Sequence, residues 1–286
     1  MTGAVYVNGA WHDRATASIS VYDHGLLYGD GVFEGLRAYD GRIFRLARHV
    51  ERLYDSAKSI NLAIPHTQEE FAALMVEAVG RSGLRDAYLR PVVTRGVGDL
   101  GLDSRKCPTA TVIIIVDTIA VWSADRYEQG LDVVTAATPV PHREALSPRV
   151  KSLNYLAHVM AKLEGSLAGA DEVLMLDPAG YVAEGSGQNL FVVRGGRLRT
   201  PPVWAGILQG VTRDAVIELA REAGFPAEES PLNRHDVYTA DEAFLTGTAS
   251  ELAPIRRYDG RLIGAGRAGP ITRDLHARFH ALVRAE

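Results

Sequence analysis

The chain has four lysines in 286 residues: Lys58, Lys106, Lys151 and Lys162. Lys151 stands where a reactive amine is useful. It lies in Ser147-Pro148-Arg149-Val150-Lys151-Ser152-Leu153-Asn154-Tyr155, after an extended-looking lead-in and before an amphipathic helix read from Ser152. An amine can lose its proton and condense with a carbonyl to a Schiff base, which a guanidinium cannot do. A helix beginning beside Lys151 would place partial positive charge near the amine and disfavour the ammonium form. Lys58 and Lys162 read as helical residues extending into solvent, and Lys106 as a loop residue. GC-rich coding, which favours Arg over Lys, explains the scarcity of lysine equally well, so the neighbours must decide.

Three further groups complement an amine. Glu184 ends a strand and enters Gly185-Ser186-Gly187-Gln188-Asn189, where glycines permit close backbone approach. Taken alone it reads as a surface turn residue. Paired with Lys151, it has a chemical use: a carboxylate keeps a pyridine nitrogen protonated, so that an amine-linked pyridoxal phosphate acts as an electron sink. Gly210-Val211-Thr212-Arg213-Asp214 puts a glycine, backbone N–H groups and a hydroxyl at a helix start, an anion site that also reads as an ordinary Thr cap. Gly247-Thr248-Ala249-Ser250 repeats that chemistry in a turn after a strand. Arg48 opens the long helix of the first half and offers a charge-assisted contact to phosphate. The loop Gly96-Val97-Gly98-Asp99-Leu100-Gly101 follows a strand but opens no helix, so it is not a dinucleotide fingerprint.

The elements that must position these groups follow from periodicity. Strands are predicted over Val5–Val7, Val32–Tyr39 and Arg42–Leu46, the last two flanking the hairpin signal Asp40-Gly41. Val50, Leu53, Tyr54, Ala57, Ile60 and Leu62 give one helical face, ended by Pro65. A second helix spans Gln68–Ser82, and strands cover Ala87–Thr94 and Thr109–Asp117. Residues 118–130 lack periodicity. Beyond them come strands at Leu131–Thr138, Glu172–Leu176, Tyr181–Glu184, Asn189–Val193 and Ala243–Leu245. The helix from Ser152 carries Leu156, Val159, Met160, Leu163 and Leu167 on one face. Further helices are Arg213–Ala223 and the residues from Thr272 onward. The pattern predicts a mixed α/β, or α+β, chain: a smaller N-terminal domain at 1–118, a connection at 119–130 and a larger domain at 131–286. Each domain is built on a mixed or largely antiparallel sheet with flanking helices.

Composition narrows the class. The formal net charge is −4, with both signs interspersed and no basic block, which argues against nucleic acid. No signal-peptide pattern is read at the N-terminus, and the run Val112–Val116 is too short to span a bilayer. The single cysteine, Cys107, excludes an internal disulfide and a Cys-rich metal site, and no metal is expected. These features predict a soluble cytoplasmic enzyme.

The motifs together resemble the class IV, fold type IV, pyridoxal-phosphate aminotransferases over nearly the whole chain. The resemblance is carried by Tyr28-Gly29-Asp30-Gly31-Val32-Phe33-Glu34-Gly35-Leu36-Arg37, Lys151-Ser152-Leu153-Asn154-Tyr155-Leu156 and Glu184-Gly185-Ser186-Gly187-Gln188-Asn189-Leu190-Phe191. Leu208-Gln209-Gly210-Val211-Thr212-Arg213-Asp214 and Thr246-Gly247-Thr248-Ala249-Ser250-Glu251-Leu252 complete it. It implies pyridoxal 5'-phosphate held as a Schiff base by Lys151, which also shuttles the substrate proton. It further implies Tyr155 on the cofactor's phenolic oxygen, Glu184 on its pyridine nitrogen and Leu208 against the ring. Arg48, Gly210, Val211, Thr212 and Thr248 would hold its phosphate.

Tyr88-Leu89-Arg90-Pro91 resembles the branched-chain-amino-acid aminotransferases. That implies transfer of an amino group between Leu, Ile or Val and 2-oxoglutarate, within branched-chain amino acid biosynthesis. Tyr28, Tyr88, Arg90 and the N–H groups of Thr248 and Ala249 would organise the substrate carboxylate. Phe33, Gly35 and, from the partner subunit, Leu102 would line an apolar side-chain pocket, which penalises a charged side chain. Trp122 is the aromatic nearest the place where such enzymes close the pocket. Family members act on small amino acids and 2-oxo acids and assemble as homodimers or larger homo-oligomers. A transaminase for D-amino acids or (R)-amines is the alternative; the absence of a histidine after Arg90-Pro91 counts against it. A non-catalytic pyridoxal-phosphate-binding protein is a further one, disfavoured by the retention of both Lys151 and Arg90.

Overall fold

The computed structural model describes residues 4–286. The chain divides into two compact units. One comprises the residues up to Ile119, with Val150–Asn154 and Glu286; the other comprises Ala120–Arg149 and Tyr155–Ala285. Each has a mixed α/β architecture. Among the described residues no helix is long and apolar enough to cross a membrane.

The first unit contains strands β1 (Ala4–Val7), β2 (Ala10–His12), β3 (Gly31–Phe33), β4 (Leu36–Tyr39), β5 (Arg42–Ile43), β6 (Ala87–Thr94) and β7 (Thr111–Asp117). Its helices are α1 (His24–Tyr28), α2 (Leu46–Ser59) and α3 (Gln68–Ser82). The strands form one sheet in the order β2-β1-β7-β6-β4-β5, with β3 also on β6. Alternation along β6 sends Ala87, Leu89 and Val93 into the core, with Phe71 and Met75 of α3. Tyr88 and Arg90 therefore share the opposite face. Pro91 is tolerated in this central strand for a local reason. Its carbonyl accepts from Glu34 N, and in an antiparallel strand a residue's N–H and C=O point the same way. The donor that Pro91 lacks thus falls where β3 ends and β4 begins.

The second unit contains α4 (Ala124–Gln129), β8 (Leu131–Thr135), α5 (Leu156–Leu167), β9 (Glu172–Leu176), β10 (Val182–Gly185), β11 (Asn189–Arg194) and β12 (Arg197–Thr200). It continues with α6 (Val211–Glu222), β13 (Ala227–Glu229), α7 (Arg234–Tyr238), β14 (Glu242–Gly247), β15 (Glu251–Tyr258), β16 (Arg261–Leu262) and α8 (Pro270–Ala285). The strand order is β10-β9-β8-β15-β14-β11-β12-β13, and β10 also pairs with β11, so six strands close on themselves. β8 runs parallel to β9 and β15, whereas β14 is antiparallel to β11 and β15. Leu131, Val133, Leu174, Leu190, Leu245 and Ile255 fill the interior.

Several elements depart from the sequence reading for identifiable reasons. The strand expected over Arg42–Leu46 stops at Ile43, because Leu46 opens α2. Helix α2 ends at Ser59 rather than near Pro65. Asn61 adopts φ 52°, and the N–H groups of Asn61 and Leu62 return to the carbonyls of Lys58 and Ala57, which closes the helix before any proline is needed. Residues 118–130, read as irregular, include α4. Strand β15 escaped notice because Pro254 and the Arg256-Arg257 pair interrupt its apolar pattern.

The largest correction concerns the helix expected from Ser152. It begins at Leu156, because Ser152 bridges Val32 and Leu153 N donates to the Gly31 carbonyl. Lys151 is therefore part of an extended segment laid along β3. The helix-terminus potential invoked for its amine does not reach it, since that effect fades within the first turn. The apolar stripe of α5 is also not core: Leu156, Val159, Met160, Leu163 and Leu167 are exposed, whereas His158, Ala161 and Gly165 are buried.

Candidate active site

In the first unit the β3–β4 break gathers one set of expected residues. The Lys151 carbonyl accepts from Phe33 N at 3.0 Å, and Lys151 N donates to Ser56 Oγ at 3.1 Å. These bonds fix the backbone of Lys151 independently of its side chain. The amine Nζ sits 4.4 Å from the Phe33 ring centroid. The Arg90 guanidinium lies 4.9 Å from the same ring and donates from Nη2 to the Tyr88 hydroxyl at 2.8 Å. Gly35 packs directly beneath that hydroxyl, so that any Cβ there would collide with it. Lys151, Phe33, Gly35, Tyr88 and Arg90 therefore form one cluster, with two cations against one aromatic ring. Among the described residues, Arg90 Nε is buried without a hydrogen-bond partner. A guanidinium edge of that kind suits a carboxylate.

Tyr28 and Leu102 stand elsewhere in this unit. Tyr28 ends α1, donates to the Leu100 carbonyl at 2.5 Å and stacks edge-on against His24. Leu102 is 81% exposed, the most open large apolar residue of the described chain.

Helix α2 corrects the expectation for Arg48. Its side chain is more than half exposed and ion-paired to Glu51 at 2.8 Å. The inward arginine is Arg52, which lies in the row His49–Arg52–Ser56 beside the apolar row Val50–Leu53–Ala57. Ser56 is the residue that holds Lys151 N. Arg52 Nε and Nη2 donate to the two oxygens of Glu34 at 2.6 and 2.8 Å. His49 Nδ1 lies 2.8 Å from the same carboxylate, which is fully buried. Choosing between Arg48 and Arg52 needed the rotational phase of α2. The spacing His49-x-x-Arg52-x-x-x-Ser56 carried that signal.

Burial alone would raise the Glu34 pKa, but the charges and hydrogen bonds of Arg52 and His49 hold its carboxyl far below the usual range. For His49 burial dominates and depresses the imidazole, against the pull of Glu34. A carboxylate with a depressed folded-state pKa stabilises the fold fully above its ordinary value of 4.5, and that stabilisation is lost as pH falls through the depressed value. Glu34→Gln should thus cost about 3 kcal/mol at neutral pH by stranding Arg52. The deficit should narrow in urea unfolding at about pH 3.5. An equal deficit at both pH values would contradict this account.

In the second unit the ladder itself assembles the other set. Glu184 pairs with Asn189 across β10 and β11, and Asn189 pairs with Thr246 across β11 and β14. Glu184 Oε2 accepts from Leu208 N at 3.0 Å and from Asn189 Nδ2 at 3.2 Å. His158 Nε2 lies 3.6 Å from its other oxygen, Oε1. His158 in turn stacks on Tyr155, with centroids 4.6 Å apart. The carboxylate is thereby oriented through one oxygen, with the other left for a further donor. Asn189 and His158 were missed as supporting residues, although Asn189 lies within the quoted motif.

Gly210 caps α6 without a side-chain bond, and a Cβ there would collide with Asn189 Oδ1. The first N–H groups of α6, at Val211 and Thr212, have no acceptor within the helix. In the ladder beside β11, Thr248-Ala249-Ser250 closes the β14–β15 hairpin, with Gly247 opposite Glu251. Among the described residues, Thr246 Oγ1 and Ser250 Oγ are buried without hydrogen-bond partners. Buried hydroxyls and helix N–H groups form a donor set suited to a phosphate. Trp122, the aromatic expected at pocket closure, packs instead against Tyr127 and the second unit's core.

The family model for class IV aminotransferases matches residues 31–258. The chain belongs to the class IV aminotransferases and has their fold type IV architecture. Among its relatives is the putative branched-chain-amino-acid aminotransferase of Methanocaldococcus jannaschii, 50% identical, with 96% of this chain and 94% of the relative covered. The crystal structure of the Escherichia coli branched-chain amino acid aminotransferase superposes with a TM-score of 0.96 at 34% identity, covering 99% of this chain and 95% of that one. The T.th. branched-chain amino acid aminotransferase in complex with N-(5'-phosphopyridoxyl)-L-glutamate gives 0.93 at 37% identity, covering 100% and 96%.

Proposed function

We propose that this chain is a branched-chain L-amino-acid aminotransferase that moves the amino group of Leu, Ile or Val to 2-oxoglutarate. The observation that carries the reading is the Lys151–Phe33–Gly35–Tyr88–Arg90 cluster, in which an amine, a carboxylate-binding guanidinium and an apolar ring share one place. The cofactor is pyridoxal 5'-phosphate, and the buried hydroxyls of Thr246 and Ser250 and the Gly210 cradle fit its phosphate. The glutamate adduct held by the T.th. enzyme supports glutamate and 2-oxoglutarate as the second pair.

When bound, the cofactor supplies an electron sink for the pair left at substrate Cα. Lys151 Nζ would be the amine that holds the cofactor by its aldehyde, and would carry the proton to and from substrate Cα. Glu184 Oε1 would hold the proton on the pyridine nitrogen. Tyr155 would donate to the phenolic oxygen, and Leu208 would pack on the ring. Gly210, Val211, Thr212 and Thr248 would hold the phosphate, and Arg52 would take the role first expected of Arg48. Tyr28, Tyr88, Arg90 and the N–H groups of Thr248 and Ala249 orient the substrate carboxylate. Phe33, Gly35 and Leu102 of the partner subunit line the side-chain pocket. Mixing the holoenzyme with L-leucine alone should convert its visible absorbance within one half-reaction, and 2-oxoglutarate should restore it. No spectral change with L-leucine would overturn the reading.

The same reading makes the chain a homodimer or larger homo-oligomer. The support is the α5 stripe, which exposes Leu156, Val159, Met160, Leu163 and Leu167 on one helix, as interaction surfaces do. Leu163→Asp is expected to weaken association at least ~10-fold, read by sedimentation equilibrium. Unchanged mass at every concentration would mean that another surface holds the subunits together. The single cysteine fits a reducing, cytoplasmic compartment.

A further inference from the structure

Away from these groups, three lone-pair atoms converge in the second unit. His280 Nε2 lies 3.1 Å from Glu251 Oε2 and 3.2 Å from His276 Nε2. All three ligand atoms fall within 4.8 Å of one another. The two histidines are four residues apart on α8 and so share a face. Glu251 opens β15, against which α8 packs.

One proton can serve this arrangement only by being shared between two acceptors. A neutral imidazole nitrogen either donates or accepts. If His280 Nε2 donates to Glu251, its lone pair is not available to His276. If it is bare, it faces a carboxylate oxygen. A cation at the centre would satisfy all three atoms at once. Zn–N and Zn–O bonds of about 2.0–2.2 Å on tetrahedral corners place ligand atoms roughly 3.3 Å apart, close to the 3.1 and 3.2 Å from His280 to its two neighbours. Two imidazoles with one carboxylate select Zn2+ and its transition-metal neighbours over Mg2+ or Ca2+, which prefer oxygen alone.

We propose that Glu251, His276 and His280 form a binding site for a divalent transition-metal ion of the Zn2+ class, tying the C-terminal helix to the strand that leaves the 248–250 turn. The sequence reading expected no metal, because the three ligands are dispersed over 30 residues and no cysteine marks them. This site does not depend on the aminotransferase assignment. The test is metal loading of the untagged holoenzyme, stripped with chelator and dialysed against Zn2+. About one Zn2+ should be retained per chain, and Co2+ substitution should give the intense visible bands of a tetrahedral site. His280→Ala and, as a second variant, His276→Gln should lose the bound ion and the Zn2+-dependent rise in unfolding temperature. His235→Gln, an exposed control, should retain both. No retained Zn2+ in the parent, or equal retention in His280→Ala, would overturn the proposal.

Discussion

Lys151→Ala is expected to abolish transamination, by roughly 10⁴-fold or more, and to remove the absorbance of the lysine-bound cofactor. The effect should be chemical rather than structural. The backbone of residue 151 is held by Ser56 Oγ and Phe33 N, and neither bond needs the lysine side chain. Lys151→Arg is the sharper control: it keeps a cation over Phe33 but cannot condense with an aldehyde. No other lysine is placed to substitute. Lys106 is ion-paired to Asp99 at 2.5 Å, and Lys58 is exposed on α2. Lys162, expected to reach freely into solvent, donates to the Asp171 carbonyl and to Glu172 at 2.5 and 3.0 Å. Turnover above ~1% of the parent in Lys151→Ala, measured with L-leucine and 2-oxoglutarate, would remove the amine from the centre of the mechanism.

The second large effect is expected at Glu184. Glu184→Ala should keep cofactor binding within about threefold, yet lose roughly 10²–10⁴ in kcat, because the electron sink weakens without a carboxylate on the ring nitrogen. Glu184→Gln separates position from charge. Its amide oxygen can still accept from Leu208 N and Asn189 Nδ2, but it carries no charge to support a protonated pyridine. If the role is orientation alone, the glutamine variant should recover most of the rate. If the role is charge, it should resemble the alanine variant. Near-parental kcat in both variants would contradict the assignment.

What could be read in advance was the local chemistry. Thr67 and Glu70 form the capping box that starts α3, and Gly83 at φ 68° ends it, matching the span Gln68–Ser82. Asp40-Gly41, both with positive φ, makes the tight hairpin between β4 and β5. Lys151 and Glu184 were both singled out by residue type, although the helix start expected beside Lys151 lies at Leu156. What could not be read was long-range or rotational. The pairing of Ser152 with Val32 joins segments far apart in the chain, and local helix periodicity competed with it and gave the wrong start for α5. The stripe Leu156–Leu167 announced a helix face that is apolar, but periodicity cannot say whether that face meets its own chain or another. Arg48 and Arg52 are one turn apart, and only the packed helix shows which one turns inward to Glu34.

The most direct test of the central claim is a donor panel with pure holoenzyme: initial rates for L-leucine, L-isoleucine, D-alanine and an (R)-primary amine, each with 2-oxoglutarate as acceptor. The kcat/KM for L-leucine is expected to be at least ~10³-fold above that for D-alanine if Arg90, Tyr88 and Phe33 fix the carboxylate and the apolar side chain on set sides of the reacting carbon. Rapid turnover of D-alanine or the (R)-amine, with none of L-leucine, would contradict it.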